Sequence, residues 1–214
     1  MKVGCGGWLL PACLQSNLVG KDKAMMDWRS WVVLLAGVAC FGSFTWAVKF
    51  HFQKSGESPR GMQAVSVLSV VAFAWFIYGL GTRPGGYQLM PFGLCALSLL
   101  LFWWCILHTR PKPFTLAFSQ DLPAFLDTQG PYRVARHPFY LSYLLFWVAT
   151  ALAVPGALSW VAPVIMGALY TLAATREEAK FANCASDREY QAYRLHTGMF
   201  FPLLTGLRRK EDQA

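Results

Sequence analysis

Between Arg136-His137 and Arg176-Glu177-Glu178 the chain runs for 38 residues, Pro138 to Thr175, without one Asp, Glu, Lys, Arg or His. A helix that crosses a bilayer needs about 20 apolar residues. The run is therefore too long for one ordinary span and about right for two short ones. Pro155-Gly156 lies near its middle, where a turn is needed. Two helices and a turn form a hairpin, and a hairpin returns the chain to the face it left. Arg136-His137-Pro138-Phe139-Tyr140 and Arg176-Glu177-Glu178 are then neighbours at one membrane face. Polar groups gathered there against an apolar bundle mark a candidate functional site.

The rest of the sequence agrees with a membrane setting. Of 214 residues, 55% are hydrophobic and only 14% charged, and the apolar residues come in blocks, which excludes a soluble globular fold. The expected architecture is an all-α membrane bundle of about five spans: 31–48, 62–80, 89–107, 139–154 and 157–174. The fourth is short. Trp28, Trp31, Trp46, Tyr78, Tyr87 and Trp160 lie near the expected ends, where aromatic side chains favour the interface. With the N-terminus outside, 14 of the 19 Lys and Arg fall on the cytoplasmic side, so the positive-inside rule places the C-terminus in the cytoplasm. The net charge of +8 is then a topology signal and an attraction to anionic lipid headgroups. The basic residues are scattered over loops, which argues against nucleic acid as a partner.

Residues 1–24 are mildly apolar but broken by glycine and proline, and read as a dispensable extension ahead of a domain at 25–214. Six cysteines with no C-x-x-C spacing read as packing residues rather than as disulfides or metal ligands, and no metal site is expected. The segment from His108 to His137 holds four prolines and should be irregular, with at most short helices. Residues 176–194 read as an amphipathic helix that either extends the fifth span or bends along the surface.

Chemistry concentrates at the two ends of the hairpin. Pro138 suits the first turn of a helix, whose free N–H groups and partial positive charge favour an anion. Arg133 and Arg136 either reinforce such a site or anchor the topology by reaching to headgroups. Glu177 and Glu178 close an apolar helix at the end where its dipole opposes them. They need partners, which are either arginines such as Arg133, Arg136 and Arg194 or the hydroxyl and ammonium groups of a ligand.

The order Arg136-His137-Pro138-x-Tyr140-x-Ser142, then Glu177-Glu178-x-x-Phe181, resembles the R-H-P-x-Y-x-G … E-E-x-x-L signature of the isoprenylcysteine carboxyl methyltransferase family of membrane enzymes. Gly130-Pro131-Tyr132-Arg133 upstream and Glu189-Tyr190-x-x-Tyr193 with Thr197-Gly198-Met199-Phe200-Phe201-Pro202 downstream are similar too, the last in the style of bacterial members. The resemblance covers 130–204; Ser142 stands for glycine, Phe181 for leucine, and His196 for an arginine common in bacterial relatives. It implies a catalytic half at about 108–204 that binds S-adenosylmethionine at the cytoplasmic face of a bacterial inner membrane. The implied cofactor residues are Tyr132, Arg136, His137, Pro138, Tyr140, Ser142, Glu177 and Glu178, with Ser142 tightening the approach to the cofactor. Glu177 and Arg194 are the implied catalytic pair, Arg194 orienting an acidic acceptor. The expected activity is methyl transfer to a lipophilic carboxylate drawn from the membrane. The wider group also implies a phospholipid amine N-methyltransferase, a sterol-reductase-like enzyme using a nicotinamide cofactor, or a non-catalytic protein of the same fold.

Overall fold

A computed structural model of the chain describes residues 26–52, 60–83, 85, 87–111, 126–181 and 187–203. Every regular element among them is helical. They run in the order α1 (Trp28–Phe50), α2 (Arg60–Thr82), α3 (Leu89–Thr109), a 3₁₀ turn (Gly130–Arg133), α4 (Pro138–Ala153), a second 3₁₀ turn (Ala157–Trp160), α5 (Val161–Phe181) and α6 (Asp187–His196). Four helices are long and apolar enough to cross a membrane, and α4, with 16 residues, is a fifth apolar helix of shorter length. This is an all-α integral membrane bundle ending in the expected hairpin. The outer faces carry Leu35, Val70, Leu100 and Val164, all exposed, as a lipid-facing surface requires.

The helices begin and end for local reasons. Asp27 caps α1 by accepting from the Ser30 N–H at 2.9 Å and the Ser30 hydroxyl at 2.7 Å, so α1 starts earlier than the expected residue 31. Pro138 opens α4. Gly156, at φ 120°, makes the reversal between α4 and α5 in a conformation that only glycine adopts readily. Of the expected helix over 176–194, the part through Phe181 belongs to α5 and the part from Asp187 to α6, and residues 182–186 between them lie outside the described residues. Residues 1–24, and much of the proline-rich segment, lie outside the described residues.

α4 is the centre of the bundle. It lies most closely on α3, where the Ser98 hydroxyl donates to the Ser142 carbonyl at 2.7 Å. Phe41, Phe44, Phe73 and Phe146 pack together around it, Phe41 and Phe73 stacked at 4.3 Å. At the end away from the site, the buried Gln88 amide donates to Gly85 O at 2.6 Å and to Ala153 O at 3.2 Å. That end of α2 fits against the hairpin turn: a Cβ on Gly79 would lie 2.5 Å from Val154 Cγ1. Valine is branched at Cβ and has little freedom to yield. Gly79→Ala should therefore lower stability by about 1–3 kcal/mol, as overpacking does. Thermal unfolding of the detergent-solubilised protein should show the loss, and Val154→Ala in the same chain should restore it. A Gly79→Ala protein as stable as the parent would contradict this packing.

Candidate functional site

The hairpin brings its two polar ends together as the spacing requires, and the C-terminal segment closes over them. Arg136 and His137 precede α4, and Glu177 and Glu178 lie in the last turns of α5. Arg136 N–H donates to Gly198 O at 2.9 Å and His137 N–H to Met199 O at 3.0 Å. This short pairing of main chains fixes the direction from which both side chains project.

Arg136 is fully engaged. Its Nε donates to Glu178 Oε1 at 2.9 Å and its Nη2 to Glu178 Oε2 at 3.4 Å. Its Nη1 donates to Thr197 O at 2.6 Å and, more weakly, to Arg194 O at 3.5 Å. Two-point pairing of a guanidinium with a carboxylate is the strong, directional form of the ion pair. Both side chains are about nine-tenths buried, at 10% and 9% exposed. Glu178 also takes His137 Nε2 at 3.1 Å, and the buried Tyr190 of α6 lies beside it. Burial and then the Glu178 charge hold the Tyr190 hydroxyl above its usual range. Arg136 and Glu178 thus join α4, α5 and the C-terminal segment, and have little capacity left for a ligand.

Glu177 differs. Tyr140 Oη donates to its Oε1 at 2.5 Å, and His137 Nδ1 stands 3.5 Å from its Oε2. Its side chain remains 32% exposed, against 9% for Glu178. The His137 ring stacks on Tyr140 at 5.5 Å, and Tyr140 stacks on Tyr170 at 5.4 Å. The half-open carboxylate therefore stands at the edge of a column of aromatic faces. A carboxylate and aromatic rings together suit a cation.

Tyr132 is buried in the 3₁₀ turn, and its carbonyl accepts from Tyr193 Oη at 2.5 Å. Burial, with the charges of Asp127 and Glu177 nearby, pushes the Tyr132 phenol well above its usual range, so it stays protonated. Arg194 stands on the rim, 49% exposed, with Nε 4.0 Å from Glu178 Oε2. Arg133 is exposed. Ser142 is not brought to the cluster. It is fully buried against α3, with its hydroxyl donating to Phe139 O at 2.7 Å. The structure thus assembles Tyr132, Arg136, His137, Pro138, Tyr140, Glu177 and Glu178, keeps Arg194 at the edge, and leaves Ser142 apart.

Two features escape sequence reasoning. His108, at the end of α3, pairs with Asp127 at 3.0 Å, and Gly130, at φ 55°, packs under the His108 ring. The second is that the Thr197, Gly198 and Met199 segment, noted in the sequence only as part of a motif, acts through its main-chain carbonyls. A Cβ on Gly198 would overlap the Phe201 backbone oxygen.

Gly198→Ala should therefore detach the C-terminal segment from Arg136 and His137. Trypsin should cut after Arg188 and Arg194 several-fold faster than in the parent, while the transmembrane core persists. Arg136→Ala leaves Glu178 and Thr197 O without their main donor. Losing one partner of a buried pair costs about 3–5 kcal/mol. A large fall in unfolding temperature should accompany it, and an unchanged temperature would show that the fork contributes nothing to stability.

No family model matches the sequence, no curated protein matches it, and no solved structure matches it.

Proposed function

We propose that this chain is a membrane-embedded methyltransferase that takes its methyl group from S-adenosylmethionine and gives it to a lipophilic carboxylate. The observation that carries the reading is the unequal state of two adjacent glutamates. Glu178 is saturated by Arg136 and His137, whereas Glu177 keeps an open flank beside the His137–Tyr140 stack.

The residues present fit such a cofactor. Its sulfonium and ammonium groups are cations, and its ribose hydroxyls are donors. Glu177 accepts from hydroxyl or ammonium groups, the aromatic faces of His137 and Tyr140 lie against the same spot, and Tyr132 adds a protonated phenol. Arg136, Glu178 and Pro138 hold these groups in place. Ser142 is buried, with its carbonyl accepting from Ser98 of α3 and its hydroxyl donating to Phe139 O, so the reading does not rest on it. When bound, S-adenosylmethionine supplies a methyl group on a cationic sulfonium, which an acceptor oxygen displaces in line while the S–CH3 bonding pair stays on sulfur. A carboxylate acceptor becomes a neutral ester and releases no proton, so the protein needs no strong base. Alignment and exclusion of water are its main tasks. Arg194 on the rim orients the acidic acceptor. The resemblance of the Arg136-His137-Pro138 and Glu177-Glu178 motifs to isoprenylcysteine carboxyl methyltransferases, in the style of bacterial members, supports the same reading, and the excess of Lys and Arg on one side favours a cytoplasmic site.

Calorimetry on detergent-purified protein should give micromolar binding of S-adenosylmethionine and none of a nicotinamide cofactor. Glu177→Gln should weaken that binding at least about tenfold, the scale of a lost charged hydrogen bond, and leave the unfolding temperature unchanged. Glu178→Gln should lower the unfolding temperature. Binding of the nicotinamide cofactor instead would assign the chain to the reductases. Binding unaffected by Glu177→Gln would remove Glu177 from the site.

A further inference from the structure

The methyltransferase reading leaves open what holds the acceptor on the side of the bundle. Tyr143 lies three residues beyond Tyr140 on α4, on the same stripe of the helix. Side chains on a helix lean toward its N-terminus, which here is the site end. The Tyr143 ring is held from four helices. It meets Phe44 of α1 at 4.7 Å, Phe102 of α3 at 6.2 Å, Tyr140 of α4 at 6.4 Å and Tyr170 of α5 at 5.6 Å. It bridges the two apolar clusters that meet below the site.

Its hydroxyl is different from those around it. Tyr140 Oη donates to Glu177, and Tyr170 Oη accepts from Trp147 Nε1 at 3.2 Å. Tyr143 Oη makes no hydrogen bond among the described residues, although the ring is only partly buried. A polar group in an apolar bundle without a partner is a cost, and phenylalanine would make the same ring contacts without it. A phenol with no hydrogen bond among the described residues, one turn along α4 from the Tyr140 that holds Glu177, is placed for a ligand group that arrives from the membrane rather than from water.

We propose that Tyr143 is the acceptor's anchor: its hydroxyl donates to a carbonyl or carboxylate oxygen of the membrane-borne acceptor and holds it on the bundle side of Glu177. This rests on the methyltransferase reading. A phenol stabilises the acceptor's negative oxygen and, being neutral, adds no buried charge when the acceptor is absent.

Tyr143→Phe tests it cleanly, because it removes one oxygen and keeps the ring. The probe is S-farnesylthioacetate, a prenyl chain ending in a carboxylate, titrated into parent and variant protein in lipid nanodiscs. S-adenosylmethionine affinity and unfolding temperature are measured on the same preparations. The expected result is about tenfold weaker probe binding by Tyr143→Phe, with cofactor affinity unchanged and an unfolding temperature equal to or above the parent's. Equal probe binding by both proteins would overturn the proposal, as would a parent that does not bind the probe saturably. A parent that binds the probe but not S-adenosylmethionine would sink the methyltransferase reading while leaving Tyr143 as a lipid-carboxylate anchor.

Discussion

The arrangement of the site depends on one guanidinium. Each of the three nitrogens of Arg136 has an acceptor, two on Glu178 and the third on the carbonyls of Thr197 and Arg194. An ion pair this buried is costly to form unless nearly all its polar atoms are satisfied, because both charges leave water. Here the satisfaction is shared between the start of α4, the end of α5 and the segment after α6. None of the three can shift without leaving a charge unpaired. The same constraint fixes His137, whose N–H is tied to Met199 O and whose two ring nitrogens each face a glutamate. Rigidity at Glu178 is therefore what leaves Glu177 both oriented and partly open.

Adjacent glutamates on a helix point about 100° apart, so Glu178 can face a protein donor while Glu177 stays partly exposed. Two carboxylates side by side repel, and at a helix C-terminus the dipole adds to the cost. Arg136 and His137 offset Glu178, and the Tyr140 hydroxyl and His137 offset Glu177 in part. The incomplete compensation at Glu177 is the property that a cationic ligand would complete.

Much of this was legible in the sequence, and what was not has a physical reason. The uncharged 38-residue run and its Pro155-Gly156 break dictated the hairpin and the convergence of Arg136-His137 with Glu177-Glu178. The short fourth span appears as the 16-residue α4. Motif spacing did not reveal helical phase: Ser142 is two residues from Tyr140, about 200° around the helix, and so faces α3 rather than α5. Arg136 reads as a ligand residue in sequence because its other partners, the Thr197 and Arg194 carbonyls, are main-chain atoms that leave no residue signature.

The length of α4 carries a last consequence. From Tyr140 to the end of α4 at Ala153 the helix rises about 20 Å, whereas the hydrocarbon core is about 30 Å thick. With the Pro155-Gly156 turn at one boundary of that core, the Tyr140–Glu177 bond lies roughly 10 Å short of the other, unless the bilayer thins around it. α5 proper rises about 24 Å from Val161 to Glu177, close to the rise of α4 from Ala153 back to Tyr140, and the 3₁₀ turn at Ala157–Trp160 takes up the remaining chain, so the two helices bring Tyr140 and Glu177 together. A polar cluster at that depth has the Thr197–Met199 segment on one side and Tyr143 one helical turn along α4 on the other. On the methyltransferase reading, Glu177 would be the place where a water-borne cation meets a membrane-borne oxygen.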